Sequence, residues 1–516
     1  MNKFQEFSAT SKDRLRKTKI KKVRDYIHGV GYLSSTLTLP EYYKASGFSK
    51  MKLEPIDYKR GSSKMPKRTQ AIKLVSPKGM MSWRQFGLMH PYAYWHISKE
   101  ITQYNNWRKI LSVLGKNLKV SNYSIPPVYS HLKPQGAGIN GWKTLTKQDL
   151  PSNLSKHTYY ASSDISNFYP SIYTHSIAWA IEGKAKARVD PENILLGNHL
   201  DKLFQNSRDG QTNGILVGSI VSDIVAELIL TRIDESLSKK IKLMKLDLIV
   251  VRFRDDYKFL CTSKSDAEKV LRVFSKVLQS EFDLMVNEKK TKIEDDVVLA
   301  SLRPWDLEFD SSEILSKVFD PKYRDFTAKT LTSAILAGYE IQSRYPESRS
   351  GISVLNKLAK KLEYNKKFSL KALEAEQIIP LIRQFMLLRE DVTPNAMLLI
   401  DQLMRFISED KKEQIIRGIL EHYTTLDDNE YQEVWLCRVC MHHCPTLVDE
   451  LFGKSENPLI VALSTVQPHY KLFGSSDIFS PGDIPELEKF RIIDKKLLEK
   501  AISKPITSGA IDPFRY

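Results

Sequence analysis

Between residues 157 and 305 the chain switches between two hydrophobic periods. HTYYASSDI is a strand pattern that ends near Asp164, and LDLIVVRF and YKFLCT are two more strand patterns set closely around Arg254, Asp255 and Asp256. GSIVSDIVAELILTRIDESL and SDAEKVLRVFSKVLQSE carry their apolar residues at helical spacing instead. Strands interleaved with helices around a central hairpin predict an α+β sheet domain. Ahead of it, HPYAYWHISKEITQYNNWRKILSVL is one helical run, while residues 60–82, rich in Ser, Pro, Gly and Lys, read mostly as loop. After about residue 306 the texture changes. LTSAILAGYEIQSRY, GISVLNKLAKKLE, AEQIIPLIRQFMLL, NAMLLIDQLMRFI and KKEQIIRGILEHY are successive amphipathic helices with short polar joints. They show no strict repeat, yet a run of this length predicts an all-helical, solenoid-like region. The expected division is a basic N-terminal region over 1–156, a sheet domain over 157–305 and a helical domain over 306–516.

A chain of 516 residues exceeds one compact core, in keeping with that division. Hydrophobic residues make up 42% and charged residues 27%, an ordinary globular balance. No stretch approaches the ~18–20 apolar residues of a membrane span, and MNKFQEFSATSKDRLRK lacks the apolar centre of a secretory signal. Four cysteines in so long a chain give no disulfide framework, which predicts a cytoplasmic protein. The net charge of +17 and pI near 9.3 favour a polyanionic partner. Residues 11–24 concentrate that charge, with eight basic residues and one acidic. They read equally as a solvated helix face or a nucleic-acid contact.

Three Asp-Asp pairs occur. Asp295–Asp296 and Asp427–Asp428 lie in polar surroundings, as turns or caps do, whereas Asp255–Asp256 is closely flanked by apolar strand patterns. A two-residue hairpin turn tolerates Asp, so an ordinary surface turn is the plain alternative. Asp164 adds a third carboxylate from a separate strand. Carboxylates gathered this way would repel one another, and binding divalent cations is one physical reason to collect them. Mg²⁺ prefers such hard oxygen ligands, and a pair of ions can serve phosphoryl transfer.

The segment DISNFYPSIYTHSIAWAIEGK resembles reverse-transcriptase motif A, and RFRDDYKFL resembles motif C. GQTNGILVGSIVSDIVAELIL is similar to motif B and VNEKKTKI to motif D, all in the family's order across about 157–293. The resemblance implies a right-hand polymerase fingers–palm core that joins dNTPs into DNA with Mg²⁺ or Mn²⁺. Asp164, Asp255 and Asp256 would be its metal ligands and catalytic residues. Tyr169 takes the position of the aromatic that excludes a 2′-hydroxyl, against the alternative of a core ring beside Phe168. Gln211, Gly214, Gly218 and Ser219 match the loop that contacts nucleotide and template, and Lys290 matches the motif D lysine. Arg252 and Arg254 either balance local negative charge or are exposed. The departures are Phe253 where Tyr is usual, Arg254 beside it, and Val217 and Ser219 flanking Gly218. They put templated processivity in doubt more than metal chemistry.

FYPSIYTHSIAWAIEGK, with the basic N-terminus and helical C-terminal region, resembles the abortive-infection group of prokaryotic reverse transcriptases, most of all its prophage-encoded member. That resemblance implies HEAT-like C-terminal helices, homo-oligomers and antiphage defence. It further implies template-independent DNA synthesis primed by a tyrosine of the protein, with single-stranded DNA as product. An RNA-templated enzyme using a partner noncoding RNA is the alternative, and an inactive nucleic-acid-binding scaffold is another. Of the 23 tyrosines, Tyr42 and Tyr43 in a loop-like stretch and Tyr516 are conceivable primers, and none is singled out. CRVCMHHC gathers Cys437, Cys440, His442, His443 and Cys444. The segment reads as one helix with its cysteines on a buried stripe rather than as a zinc site.

Overall fold

The structure is a computed structural model that describes residues 3–33, 38–46, 48, 60–61, 65–79, 82–124, 156–297, 300, 304–320, 322, 326–346, 348–365, 368–424, 429–474 and 487–508. Tyr516 and Asp427–Asp428 lie outside the described residues.

The N-terminal segment forms helices α1 (Lys3–Lys17) and α2 (Ile20–Gly29) and strand β1 (Tyr43–Ser46). Residues 72–79, expected as loop, form β2 (Ile72–Gly79), paired in antiparallel register with β3 (Ser82–Leu88). Every other residue of IKLV reaches the core, since Ile72 and Leu74 are buried. The long helical run that follows breaks in two, α3 (Pro91–Thr102) and α4 (Tyr104–Leu114), because Gln103 is extended. Asn106 Nδ2 closes the break by donating to the Glu100 carbonyl at 2.8 Å, satisfying an acceptor the interrupted helix leaves open.

The central sheet has five strands in the order β4 (Val120–Asn122), β6 (Leu248–Phe253), β7 (Asp256–Cys261), β5 (Tyr159–Asp164) and β8 (Lys292–Glu294). β4 joins β6 in parallel, and the other pairings are antiparallel. Between β5 and β6 the chain forms α5 (His175–Glu182), α6 (Leu196–Asn206) and the long α7 (Ile220–Leu243), of which the sequence predicts the last. Ser219 caps α7 by accepting from the Ser222 amide. Helix α7 is buried on nearly all sides, Glu227 and Asp234 included. Helix α8 (Lys264–Val277) follows β7 and buries Ala267, Val270, Phe274 and Val277, positions one helical face apart.

Beyond the sheet the predicted amphipathic helices appear as Ala328–Arg344, Ser350–Tyr364, Ala372–Leu388, Thr393–Met404, Glu409–Thr424 and Glu430–His443. The fold is thus α+β, a fingers–palm core followed by a helical C-terminal region. That region also contributes a short strand, β9 (Arg491–Ile493), paired with β1. Helix 430–443 docks on the N-terminal segment, where Tyr431 Oη and Trp435 Nε1 both donate to the Thr38 carbonyl, at 2.7 and 3.2 Å. Arg438, fully buried, pairs with Glu41 at 2.7 Å. Tyr42 and Tyr43, expected in a loop, are buried beside this contact, and Tyr43 starts β1. Among the described residues no helix is long and apolar enough to cross a membrane.

Candidate active site

Separate segments meet at one end of the central sheet. The β5–β7 register sets Asp164 directly opposite Asp256, a placement that holds Cβ atoms about 4.5–5.5 Å apart. Arg254 and Asp255 form the turn between β6 and β7, with Phe253 paired to Asp256 across it. The Ile165 amide donates to the Asp255 carbonyl at 3.2 Å, which ties this turn to the end of β5. The three carboxylates of motifs A and C are therefore gathered by the β5–β7 pairing and the turn tied to it. Asp295 and Asp296 are instead exposed just after β8.

Burial and their mutual repulsion both act on the Asp255 carboxyl. Burial, then the charge of Asp164, push its carboxyl up to about 6, with Asp256 adding to the effect. Two ammonium groups offset part of the negative charge. Lys258 Nζ lies 2.8 Å from Asp256 Oδ1, and Lys290 Nζ lies 3.4 Å from Asp164 Oδ2. Lys290 lies on a turn strapped to β5 by the Asn287 amide donating to the Asp164 carbonyl at 2.7 Å. Lys258 was not anticipated. The signal was available, since residues two apart on a strand share a face.

This titration has a checkable consequence. In the unfolded chain Asp255 loses its proton near 3.8, but in the metal-free fold it keeps it to about 6. The folded state binds more protons across that interval, so stability falls as pH rises from about 4 to about 6 and then levels. Urea midpoints measured in EDTA should show this slope, and Asp255→Asn should flatten it. An unchanged slope in the variant would assign it to other groups.

The turn itself is strained and supported. Arg254 has a φ of 53°, a left-handed conformation that costs a non-glycine residue roughly 1–2 kcal/mol. Ser124 Oγ accepts from the Arg254 amide at 2.8 Å, and Arg252 Nη1 donates to the Arg254 carbonyl at 3.1 Å. Arg252 is not exposed at all. Its guanidinium reaches Glu227 Oε1 at 2.5 Å and Asp234 Oδ2 at 2.8 Å, both on α7. Tyr257 Oη donates to Asp234 Oδ1 at 2.8 Å. Of the two readings of Arg252, the structure favours charge balance, directed at α7 rather than at the three aspartates.

Tyr169 lies on a short helical turn within motif A, just after β5, edge-on to Phe168 at 5.6 Å between ring centres. Its hydroxyl donates to Asp223 Oδ1 at 2.7 Å, and Arg254 Nη2 lies 3.7 Å from Asp223 Oδ2. Burial and the Asp223 carboxylate keep the phenol firmly protonated. The charge of Arg254, unusual at its position, therefore answers Asp223 beside the aromatic ring. These groups line a small cavity of about 40 Å³ with Ser124 and Glu227.

The motif B loop is fixed to the same place by its backbone. The Ile215 amide donates to the Tyr169 carbonyl at 2.9 Å, and the Gly214 amide to the Ile172 carbonyl at 2.7 Å. Gly214 has a φ of 81°, and a Cβ there would come within 2.8 Å of the Pro170 carbonyl. Glycine is required. Gly218, at a φ of 134°, turns the chain into Ser219 and α7, and the Val217 carbonyl accepts from the Gly87 amide of β3 at 2.8 Å. Gln211 lies exposed in the same loop.

In the C-terminal helices Cys437, Cys440 and Cys444 are buried, as the stripe reading predicts. The neighbouring histidines meet Asp401 instead, with one ligating atom from each of the three residues within 4.8 Å of the others. His442 Nδ1 lies 2.9 Å from Asp401 Oδ1, His443 Nε2 lies 2.9 Å from the Asp401 carbonyl, and the Ile506 amide donates to Oδ2 at 2.7 Å. Burial opposes the charge on Asp401, but the hydrogen bonds from His442 and His443 bring its carboxyl down to about 2. The trio has metal-ligand chemistry, and its atoms already satisfy one another.

Residues 97–310 match the family model described as reverse transcriptase (RNA-dependent DNA polymerase). Over that stretch the chain is similar to a reverse-transcriptase domain. The matched stretch runs from α3 to the helix after β8 and contains Asp164, Tyr169, the motif B loop, the β6–β7 turn and Lys290. No curated protein matches the chain. Among solved structures, apo telomerase from Candida tropicalis shares 12% identity, over 73% of this chain and 69% of that one, with a TM-score of 0.29. Telomerase from Candida albicans, in complex with a TWJ fragment of telomeric RNA, shares 11% identity, over 73% and 65%, with a TM-score of 0.30.

Proposed function

We propose that this reverse-transcriptase domain is a working nucleotidyltransferase that joins deoxynucleotides into DNA. One observation carries the reading: β5 and β7 place Asp164 against Asp256 beside the Asp255 turn, inside the stretch that matches the family. The donor set is all carboxylate oxygen, which fits Mg²⁺ or Mn²⁺. Asp164, Asp255 and Asp256 would hold the ions, and the sharing of charge would lower the Asp255 carboxyl again. When bound, such ions lower the charge barrier to phosphoryl transfer. The protein's own groups do the remainder. Lys290 is placed to meet phosphate, and the Tyr169 ring, held by Asp223, presents bulk against a 2′-hydroxyl.

Finer features rest on the resemblance to the abortive-infection group. They are antiphage defence, homo-oligomerisation, synthesis without a template, and a tyrosine as primer. A phenolic oxygen can replace a primer 3′-hydroxyl chemically. Tyr42 and Tyr43 are enclosed by the contact with helix 430–443, which argues against either as the primer. The test is incubation of nuclease-treated protein with labelled dNTPs and Mg²⁺, adding no template or primer. Label that stays with the protein on a denaturing gel until proteolysis is the expected result. Product formed only after RNA is added would overturn template independence and favour the RNA-templated reading.

A further inference from the structure

In the basic stretch over residues 11–24, Lys12 is buried within reach of the charges of Asp234, Arg252 and Glu227, whereas the exposed cations that follow it have no part in the site above. Of these, Arg16, Lys17 and Lys19, at the joint between α1 and α2, face the start of α4, where Tyr104 and Arg108 stand. Together they line an open groove of about 430 Å³ that no carboxylate among the described residues lines, although Lys17 itself pairs with Asp13 at 2.7 Å. Arg16 donates to the Gly115 carbonyl, and this fixes one cation at its edge. Tyr104 is 61% exposed, and the Arg108 guanidinium lies 5.7 Å from its ring centre. An exposed ring beside a cation is a stacking platform rather than a core element. Trp107, also lining the groove, is 3% exposed, and its indole N–H has no acceptor among the described residues.

We infer that this groove is a binding site for single-stranded nucleic acid, separate from the aspartate cluster. Phosphates would lie against Arg16, Lys19 and Arg108, and a base would stack on Tyr104. Charge complementarity favours this occupant, and the aromatic face distinguishes it from a bare anion site. Exposed Lys21 and Lys22 continue the positive track along α2, which suits a polymer better than a free phosphate. Nucleic-acid binding here does not require the catalytic reading to hold.

The test is fluorescence anisotropy of the full chain in EDTA, so that no synthesis intervenes, with labelled oligo-dT and oligo-rU. Tyr104→Ala should weaken binding on the order of tenfold, and Tyr104→Phe should restore most of it. The double variant Lys19→Gln/Arg108→Gln should reduce the slope of log affinity against log salt by about 1.4, near 0.7 for each phosphate no longer neutralised. Both positions are exposed, so melting temperatures should stay unchanged and exclude misfolding. Unaltered affinity and slope in these variants would overturn the proposal. So would polyglutamate competing as well as the oligonucleotides do, which would point to an acidic protein instead.

Discussion

Asp255→Asn should abolish dNTP incorporation in the presence of Mg²⁺ while leaving the protein as stable as before, or more so. The two halves of this expectation come from one cause. Without metal the Asp255 charge is unwelcome, because burial and Asp164 push its carboxyl up to about 6. Asn keeps the shape and removes the charge, so the fold loses nothing above neutral pH. Catalysis loses a ligand for the cation that would offset phosphate charge, an effect worth several kcal/mol, or on the order of 10³-fold in rate. Incorporation of labelled dNTP and a thermal melt on the same preparation check both halves. Undiminished incorporation would refute the metal assignment. A large fall in melting temperature would instead make Asp255 a structural residue.

Much of this site is legible in the sequence. Strand patterns close on both sides of Asp255–Asp256 announced the hairpin, and the apolar face of 220–243 announced the helix behind it. Local periodicity carries such information well. It carried less about partners distant in sequence. Arg252 sits in a strand pattern next to Phe253 and Arg254, and nothing in the spacing tells a solvated arginine from one closed between Glu227 and Asp234. The sequence gives no sign that Asp223, a polar position on a long apolar helix, holds the Tyr169 hydroxyl. Tyr42 and Tyr43 read as loop because their cover comes from helix 430–443 and β9, far along the chain. The break at Gln103 was hidden since the apolar spacing continues through it, and only the backbone turn reveals it.

Arg252→Met should be the most destabilising change at the site. The arginine is wholly buried, and two carboxylates, themselves almost fully buried, depend on it. Removing one partner of such a group leaves uncompensated charge behind, at a cost of about 3–5 kcal/mol. Lysine is not an adequate substitute, because one ammonium cannot reproduce the planar fork that reaches Glu227, Asp234 and the Arg254 carbonyl at once. The urea midpoint should therefore fall sharply for Arg252→Met and clearly for Arg252→Lys. Adding Glu227→Gln and Asp234→Asn to Arg252→Met should recover part of the loss, since fewer orphaned charges remain. A loss under about 1 kcal/mol in the single variant would show that α7 and the strand are held by other means.

The pairing of β1 with β9 joins Tyr43 to Ile493, and this matters for how the molecule is made. Synthesis proceeds from the N-terminal end, so β1 and the buried tyrosines emerge long before their cover exists. The sheet domain can close around α7 while that early segment still waits. Closing so long a loop is slow, and an uncovered strand edge is prone to pair with the wrong neighbour. A ribosome stalled after the sheet domain would hold a chain whose central sheet is built and whose beginning is unfinished.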